Sequence, residues 1–308
     1  MRKVTGIGET VYDIVFRDGQ PQAAVPGGST FNSMISVGRC GIPASFLSEV
    51  GSDKIGEIIK DFLTYNGVST ASVNTLPGKT PLSLAFLNEN DDAEYSFYRD
   101  SYDKHPDFTY PELEKDDIVI FGSFYALNPK VRPQVRSFLE YARSREAIIY
   151  YDINFRPSHK KDLGECWDSI WENIGFADLL RGSHEDFHTL FGIADAAAVY
   201  SEKIGGKCPH FICTRGSDPL EIFDVGGFRK EYPVGKIKTV STIGAGDSFN
   251  AGIAYAIVKY GITRDMVCKG LPEELWDKLT ACAQAFSADC CKSMYNYITP
   301  QFGEDMAL

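Results

Sequence analysis

The stretch VSTIGAGDSFNAGIAYAI, residues 240–257, sets a polar turn broken by glycines directly before an apolar segment rich in small residues. Gly244, Ala245 and Gly246 would bring backbone N–H groups to the start of a helix with little side chain in the way. A helix N-terminus carries unpaired donors and a partial positive charge. The stretch therefore predicts an anion-binding turn at the head of a helix.

Asp247 follows this turn, and its carboxylate has two interpretations. It is either a partner of the helix dipole, which is common in a first turn, or a general base beside the anion. A base and a set of donors in one turn would suit phosphoryl transfer to a hydroxyl. Two other glycine motifs are excluded, because the chain has no GxxxxGK[ST] and Phe249 stands where GxGxxG needs its third glycine.

Composition narrows the class of protein. The chain has 308 residues, a formal net charge of −11 and a pI of about 5.0, which argues against nucleic acid and anionic membranes as partners. No apolar run approaches the roughly 18 residues of a membrane helix. The N-terminal segment does not read as a secretion signal, and the eight cysteines include no CxxC pair. We expect a cytoplasmic protein with reduced thiols.

Short apolar segments alternate with helical ones along most of the chain. This rhythm predicts a three-layer α/β/α fold with a doubly wound, mostly parallel sheet. Residues 81–100 and 11–25 break the rhythm and predict a small separate sheet. Ligands in such folds bind at the carboxyl ends of the strands. The polar residues expected there are Asp13, Asn154, Arg156, Thr214 and Asp247.

Two motifs carry a family resemblance. STIGAGDSFNAGIA, residues 241–254, resembles the C-terminal signature of the ribokinase-like (PfkB) sugar kinases. PGGSTFNSMISVGRCG, residues 26–41, resembles the N-terminal signature of the same family. The resemblance extends over nearly the whole chain. It implies one kinase domain over residues 1–308, with a β lid formed by about 11–26 and 80–105.

The resemblance also implies the chemistry. The family transfers the γ-phosphoryl group of ATP, with Mg²⁺, to a sugar hydroxyl. Asp247 matches its catalytic base, and Gly244, Ala245 and Gly246 match its anion hole. The positions that match its sugar-binding residues are Asp13, Gly27, Gly28, Asn32 and Arg99. Alternatives remain for several of them, since Gly27 and Gly28 also suit a plain turn and Arg99 a solvated charge on a hairpin.

The nucleotide side departs from the family pattern in places. The ATP-binding positions that match are Asn154, Arg156, Thr214 and Gly216, although Arg156 would also suit a structural ion pair with Asp152. Where the family has N-x-x-E near the metal, this chain has Ser183 and Asp186, so Asp186 is the candidate metal residue. Ser241 replaces an aspartate near a monovalent-cation site, which puts potassium activation in doubt.

The segments GETVYDIV, FYRD and DINFRP resemble the fructokinase and 2-keto-3-deoxygluconate kinase branch. A fructokinase is the first hypothesis. The second is 2-keto-3-deoxygluconate kinase, followed by ribokinase or a nucleoside kinase. A sugar-binding sensor with impaired catalysis is the rival from another class, and the altered metal motif is its only support. An exposed lid edge would allow pairing in a homodimer.

Overall fold

The computed structural model describes residues 1–87, 93–100, 105–155 and 157–308. The strands are β1 Val4–Ile7, β2 Val11–Arg17, β3 Gln20–Gly27, β4 Ala44–Gly51, β5 Val68–Ser69, β6 Val73–Leu76, β7 Leu82–Leu87, β8 Ala93–Tyr98, β9 Ile118–Gly122, β10 Ile148–Asp152, β11 Leu179–Ser183, β12 His210–Arg215, β13 Asp218–Asp224 and β14 Arg229–Tyr232. The α-helices are α1 Ser29–Arg39, α2 Lys54–Tyr65, α3 Arg132–Ser144, α4 Leu163–Phe176, α5 His184–Phe191, α6 Ala196–Val199, α7 Ala245–Lys259, α8 Arg264–Lys269, α9 Glu273–Cys290 and α10 Pro300–Asp305.

The large sheet has the strand order β14-β13-β12-β11-β10-β9-β1-β4-β5, and β6 pairs with β4. The pairs from β12 through β5 are parallel, whereas β13 and β14 are antiparallel. From β1 the chain first adds β4 and β5 on one side and later β9 to β12 on the other. The strand order therefore reverses at β1, and in open α/β sheets the ligand cleft lies outside the carboxyl ends of the strands at such a reversal.

Both faces of this sheet are covered by helices, which explains the continuous apolar runs of its strands. In β9, Ile118 and Ile120 pack into one buried cluster, and the alternating Val119 and Phe121 pack into another. The first cluster includes residues of α1, α7 and α9, and the second includes residues of α3, α4 and α5. The predicted three-layer α/β/α fold is confirmed.

A second sheet has the order β3-β2-β7-β8. Its two hairpins, β2–β3 and β7–β8, are antiparallel, and β2 pairs with β7 in parallel. These strands come from the two segments whose pattern broke the strand–helix rhythm. The small sheet continues into the cleft, because β3 ends at Gly27, directly before α1.

Close packing places α7 in the interior. Its residues from Ser248 to Ile257 are all buried, so the helix is enclosed on every side. A Cβ added to Gly252 would come within 2.5 Å of the Ala283 Cα atom, so this glycine lets α7 approach the backbone of α9. The small residues that follow the glycine turn are thus a packing requirement of a fully buried helix.

The C-terminal region has one helix more than the sequence predicts. The pattern of ELWDKLTACAQAFSADCCKS, residues 274–293, predicts the final helix of the chain, but α10 follows it at Pro300–Asp305. All eight cysteines are free in the structure, and only Cys268 is exposed. Among the described residues, none of the helices has the length and apolar character needed to cross a bilayer.

Candidate active site

The first turn of α7 carries the predicted glycine turn. Gly244 caps the helix with φ of 79°, a left-handed conformation that favours glycine. A Cβ there would also lie 2.1 Å from the backbone oxygen of Asn296. The Ala245 N–H donates to the backbone oxygen of Thr242 at 3.2 Å, and no side chain caps the helix. The Gly246 N–H, next in the first turn, is therefore the donor best placed for an anion.

The Asp247 carboxylate is held in place by α1. The Ser29 hydroxyl donates to its Oδ1 atom at 2.7 Å, and the Asn32 amide donates to its Oδ2 atom at 2.8 Å. The Ser33 hydroxyl donates to the Asp247 backbone oxygen at 2.8 Å. Both carboxylate oxygens are therefore oriented as acceptors beside the open helix end, an arrangement suited to a general base.

Ser29 and Ser33 were not predicted, although the sequence contains a signal for them. They lie at i and i+4 in α1, with Asn32 at i+3, so the three side chains share one face of the helix. That face is directed at Asp247, which is more than 200 residues away in the chain. A polar stripe on an otherwise buried helix is the pattern that would have identified them.

The predicted sugar-binding residues meet at the end of β3. A Cβ on Gly27 would lie 2.2 Å from the Oδ2 atom of Asp13, so the glycine allows this carboxylate to lie against the main chain. Gly28 has φ of 128°, and a Cβ there would lie 2.3 Å from the backbone oxygen of Glu9. The Asn296 amide donates to Asp13 Oδ2 at 3.2 Å.

Asn32 joins the sugar side to the base. Its side chain is 4% exposed, and while its amide nitrogen binds Asp247, its Oδ1 atom has no hydrogen-bond partner among the described residues. A buried acceptor without a donor is costly. A ligand hydroxyl in the cleft would supply the missing donor.

Arg99 extends from the end of the small sheet to the body of the protein. Its guanidinium lies 3.2 Å from the Glu9 carboxylate, and its carbon centre lies 4.7 Å from the centroid of the Phe97 ring. Because Glu9 contacts Gly28 through its backbone, the Arg99–Glu9 pair lies next to the glycine pair. The structure thus joins the small sheet to the rim of the cleft at this ion pair.

The nucleotide-side residues lie at the ends of β10 to β12. Thr214, near the end of β12, accepts a hydrogen bond from Arg181 Nη2 at 2.7 Å. Gly216 has φ of 62°, and a Cβ there would meet nothing within 4 Å, so it faces open space. Asn154 follows β10 with φ of 35°, a positive value that asparagine adopts more readily than most other side chains.

Arg156 lies outside the described residues. The alternative pairing of Arg156 with Asp152 therefore stays a prediction. Among the described residues, Asp152 pairs with Arg181, whose Nη1 atom is 3.0 Å from Oδ1. Arg181 was not predicted as a site residue. A charged residue within the buried strand ADLLRGS was its signal.

Asp186 has a structural partner. Its Oδ2 atom accepts hydrogen bonds from the backbone nitrogen and the hydroxyl of Ser183, both at 2.7 Å, and these close a capping box on α5. The described residues contain no group of three or more His, Cys, Asp or Glu side chains able to hold a metal ion. They do not fit a metal site built from protein ligands alone, and the metal role of Asp186 remains a prediction.

Comparison with known proteins agrees with this geometry. Residues 1–288 match the family described as pfkB family carbohydrate kinase. The chain belongs to the pfkB family. It is a sugar kinase, as the two motifs predicted.

Known pfkB relatives show which branch is near. A fructokinase of Rhizobium leguminosarum bv. trifolii is 29% identical over 259 residues, which cover 80% of this chain and 77% of that protein. A 5-dehydro-2-deoxygluconokinase of Geobacillus thermodenitrificans (strain NG80-2) is 27% identical over 252 residues, which cover 75% of this chain and 72% of its own. These relatives confirm the predicted branch.

A solved pfkB structure supports the fold. The crystal structure of fructokinase with bound ATP from Xylella fastidiosa superposes with a TM-score of 0.82 at 21% identity, and the match covers 99% of this chain and 97% of that one. The likeness extends over the small sheet as well as the large one. The expected ribokinase-like architecture is therefore confirmed.

Proposed function

We propose that this pfkB protein transfers the γ-phosphoryl group of ATP to a hydroxyl of a small neutral ketose, with fructose as the first candidate. The observation that carries the proposal is the position of Asp247. Its carboxylate is fixed by Ser29 and Asn32, and it lies in the first turn of a helix that no side chain caps. A base and an anion site thus share one turn, as transfer of a phosphoryl group to an alcohol requires.

In this reaction the sugar hydroxyl gives its proton to Asp247 as its oxygen attacks the γ-phosphorus. The bond from the γ-phosphorus to the bridging oxygen of ATP breaks, and ADP leaves with that electron pair. The N–H groups at the start of α7 stabilise the negative charge on the phosphoryl oxygens during transfer. Asn32 binds the base through its amide and offers its buried Oδ1 atom to the sugar.

The proposed ATP site includes Thr214 and Gly216, which lie near the end of β12. Arg181 donates a hydrogen bond to the Thr214 hydroxyl there. Mg²⁺ accompanies ATP in phosphoryl transfer and neutralises charge on the phosphates. Because the described residues offer no cluster of protein ligands, we expect the ion to be held mainly by the nucleotide and water.

Charge in the cleft favours a neutral sugar over a sugar acid. The groups around the predicted sugar site include the carboxylates of Asp13, Glu9 and Asp247. Arg99, which the family resemblance places on the sugar side, is paired with Glu9 at 3.2 Å. A substrate carboxylate would have to displace Glu9 from this pair, whereas a ring of hydroxyl groups would not.

A coupled assay of ADP release over a sugar panel tests the proposal. The panel contains fructose, ribose, 2-keto-3-deoxygluconate and 5-dehydro-2-deoxygluconate, and each sugar is also titrated by calorimetry. We expect the highest kcat/KM with fructose. A higher value with either acid would overturn the neutral-sugar assignment. Tight sugar binding without turnover would instead favour the sensor hypothesis.

A further inference from the structure

Arg181 is the centre of a buried polar network beneath the glycine turn. It lies on β11 and is 8% exposed. Its Nη1 atom donates to Asp152 on β10 at 3.0 Å, and its Nη2 atom donates to Thr214 on β12 at 2.7 Å. One guanidinium therefore links the carboxyl ends of three adjacent strands.

The same guanidinium contacts the glycine turn. A Cβ added to Gly246 would lie 2.8 Å from Nη2 and 2.9 Å from Nη1, so only a glycine leaves room for Arg181 here. Asn250, one turn further along α7, donates to Asp152 Oδ2 at 2.8 Å and accepts from the Tyr150 hydroxyl at 2.9 Å. The first two turns of α7 thus rest on a single network of strand-end side chains.

The charge of Arg181 is secured by its partner. Burial lowers the pKa of the guanidinium, but the adjacent Asp152 carboxylate outweighs burial and raises the pKa above its ordinary value. Its Nε atom is buried and has no hydrogen-bond partner among the described residues. A buried pair of this kind is weak evidence for stability alone, because desolvation offsets much of the attraction.

We propose that Arg181 is a positioning residue for the phosphate-binding turn. Arg181 contacts Gly246 from the side of the strands, while Ser29 and Asn32 of α1 bind the Asp247 carboxylate. Together these contacts keep the turn and the base directed at the same phosphoryl group. This inference rests on the proposed function. A misplacement of about 1 Å in such a constellation lowers the rate of reaction on the order of 100-fold.

Nucleotide binding without sugar gives the first test. Calorimetry would compare adenosine with the ATP analogue AMP-PNP, with Mg²⁺ in every arm, in the wild type, Arg181→Met and Arg181→Lys. We expect Arg181→Met to weaken AMP-PNP binding roughly tenfold, or about 1.4 kcal/mol, with adenosine affinity unchanged. Arg181→Lys should recover part of the loss. Unchanged AMP-PNP affinity in Arg181→Met would overturn the proposal.

Arg132 offers a matched control. It is also a mostly buried arginine paired with a carboxylate, Glu172, and its Nε atom also lacks a hydrogen-bond partner among the described residues. It lies on α3, whose apolar residues belong to the cluster on the opposite face of the sheet from α7. Arg132→Met should lower the melting temperature but leave both affinities at the wild-type values. Equal effects of the two methionine variants on AMP-PNP binding would reduce Arg181 to a structural role.

Turnover supplies the second readout. With the preferred sugar, Arg181→Met should lower kcat on the order of 100-fold while the sugar KM stays near the wild-type value. If the wild type turns over none of the sugars, the proposed function fails, and the AMP-PNP measurement still decides the role of Arg181. If Arg181→Met does not fold, the double variant Asp152→Asn/Arg181→Met removes both charges, and the same expected losses apply to it.

Discussion

Asp247 is the side chain on which the proposed chemistry depends most. Replacing it with alanine removes the proton acceptor but leaves Asp13, Gly27 and Gly28 in place on the sugar side. We expect Asp247→Ala to lose about two to four orders of magnitude in kcat. The affinities for sugar and nucleotide should change far less, since a base acts mainly in the transition state. The coupled ADP assay and calorimetry measure the two effects separately.

Asp265 provides the control for the alternative in which Asp247 only interacts with the helix dipole. It also lies in the first turn of a helix, α8, and its carboxylate pairs with Lys115 at 3.3 Å on the surface. Asp265→Ala should cost at most about 1 kcal/mol of stability and leave kcat unchanged. Near-normal turnover in Asp247→Ala, with a stability loss like that of Asp265→Ala, would show that Asp247 is only a dipole partner.

Ser29 should contribute to catalysis through the carboxylate it orients. Ser29→Ala removes the 2.7 Å hydrogen bond to Asp247 Oδ1 but leaves the bond from Asn32 to Oδ2. A hydrogen bond to a charged group is worth about 1.5–3 kcal/mol, so we expect kcat to fall at least roughly tenfold. Ser36→Ala on the same helix serves as the control, because its hydroxyl bonds only backbone groups, donating to the Asn32 oxygen and accepting from the Ile298 nitrogen. Equal kcat in the two variants would contradict the orienting role.

Residues at this site differed in how far the sequence could identify them. Asp247 and Asn32 lie in specific motifs, so the family resemblance located them. Asn296 contacts Asp13 across 283 residues of chain, and nothing in its local sequence indicates that contact. Arg181 was visible only as a charge in a buried strand, because its meaning depends on strand neighbours that only the folded sheet provides.

Secondary structure was predictable where hydrophobic periodicity extends over several turns. The segments DKIGEIIKDFLTYNG, DIVIFGS and LEIFDVGGFRKEYPV predict an amphipathic helix, a buried strand and a hairpin. The structure has them as α2, β9 and the antiparallel β13–β14 pair. Helix α10 has six residues, too few for a helical period to be recognised. Its existence depends on packing, since a Cβ on Gly303 would lie 2.7 Å from the Cβ of Arg39 at the end of α1.

Two helical glycines should respond in opposite ways to replacement by alanine, because one is tightly packed and the other is not. In Gly252→Ala the new methyl group would lie 2.5 Å from the Ala283 Cα atom, so α7 and α9 must separate, and we expect a loss of about 1–3 kcal/mol. Gly175 in α4 has nothing within 4 Å of an added Cβ, so Gly175→Ala should gain about 0.5–1 kcal/mol from helix propensity. Urea unfolding measures both. A stable Gly252→Ala would show that this packing is loose.

The antiparallel edge of the large sheet is tied to the C-terminal helices through one aspartate. Asp224, at the end of β13, accepts hydrogen bonds from the backbone nitrogens of Leu271 and Gly226 and from the indole of Trp276 on α9. His210 on β12 lies 3.0 Å away through Nδ1, and its Nε2 atom faces a backbone oxygen at 2.6 Å. Both ring nitrogens thus lie close to oxygen atoms, and the imidazole packs directly against the Asp224 carboxylate.

The hydrogen bonds of Asp224 predict how the stability of the whole molecule depends on pH. Burial raises the pKa of Asp224, but the hydrogen bonds from His210 and the backbone outweigh it and lower the pKa to about 2. Because the folded pKa lies below the unfolded one, the stabilisation is complete above about pH 4–5 and is lost as the pH falls through 2. It amounts to on the order of 2 kcal/mol. In urea unfolding between pH 7 and 2, Asp224→Asn should therefore be less stable than the wild type at pH 7, and its free energy of unfolding should depend less on pH in acid.

Asp218 is exposed on the same strand, so Asp218→Asn should follow the wild type and serves as the control. Parallel pH curves for wild type and Asp224→Asn would mean that this carboxylate does not couple folding to protons.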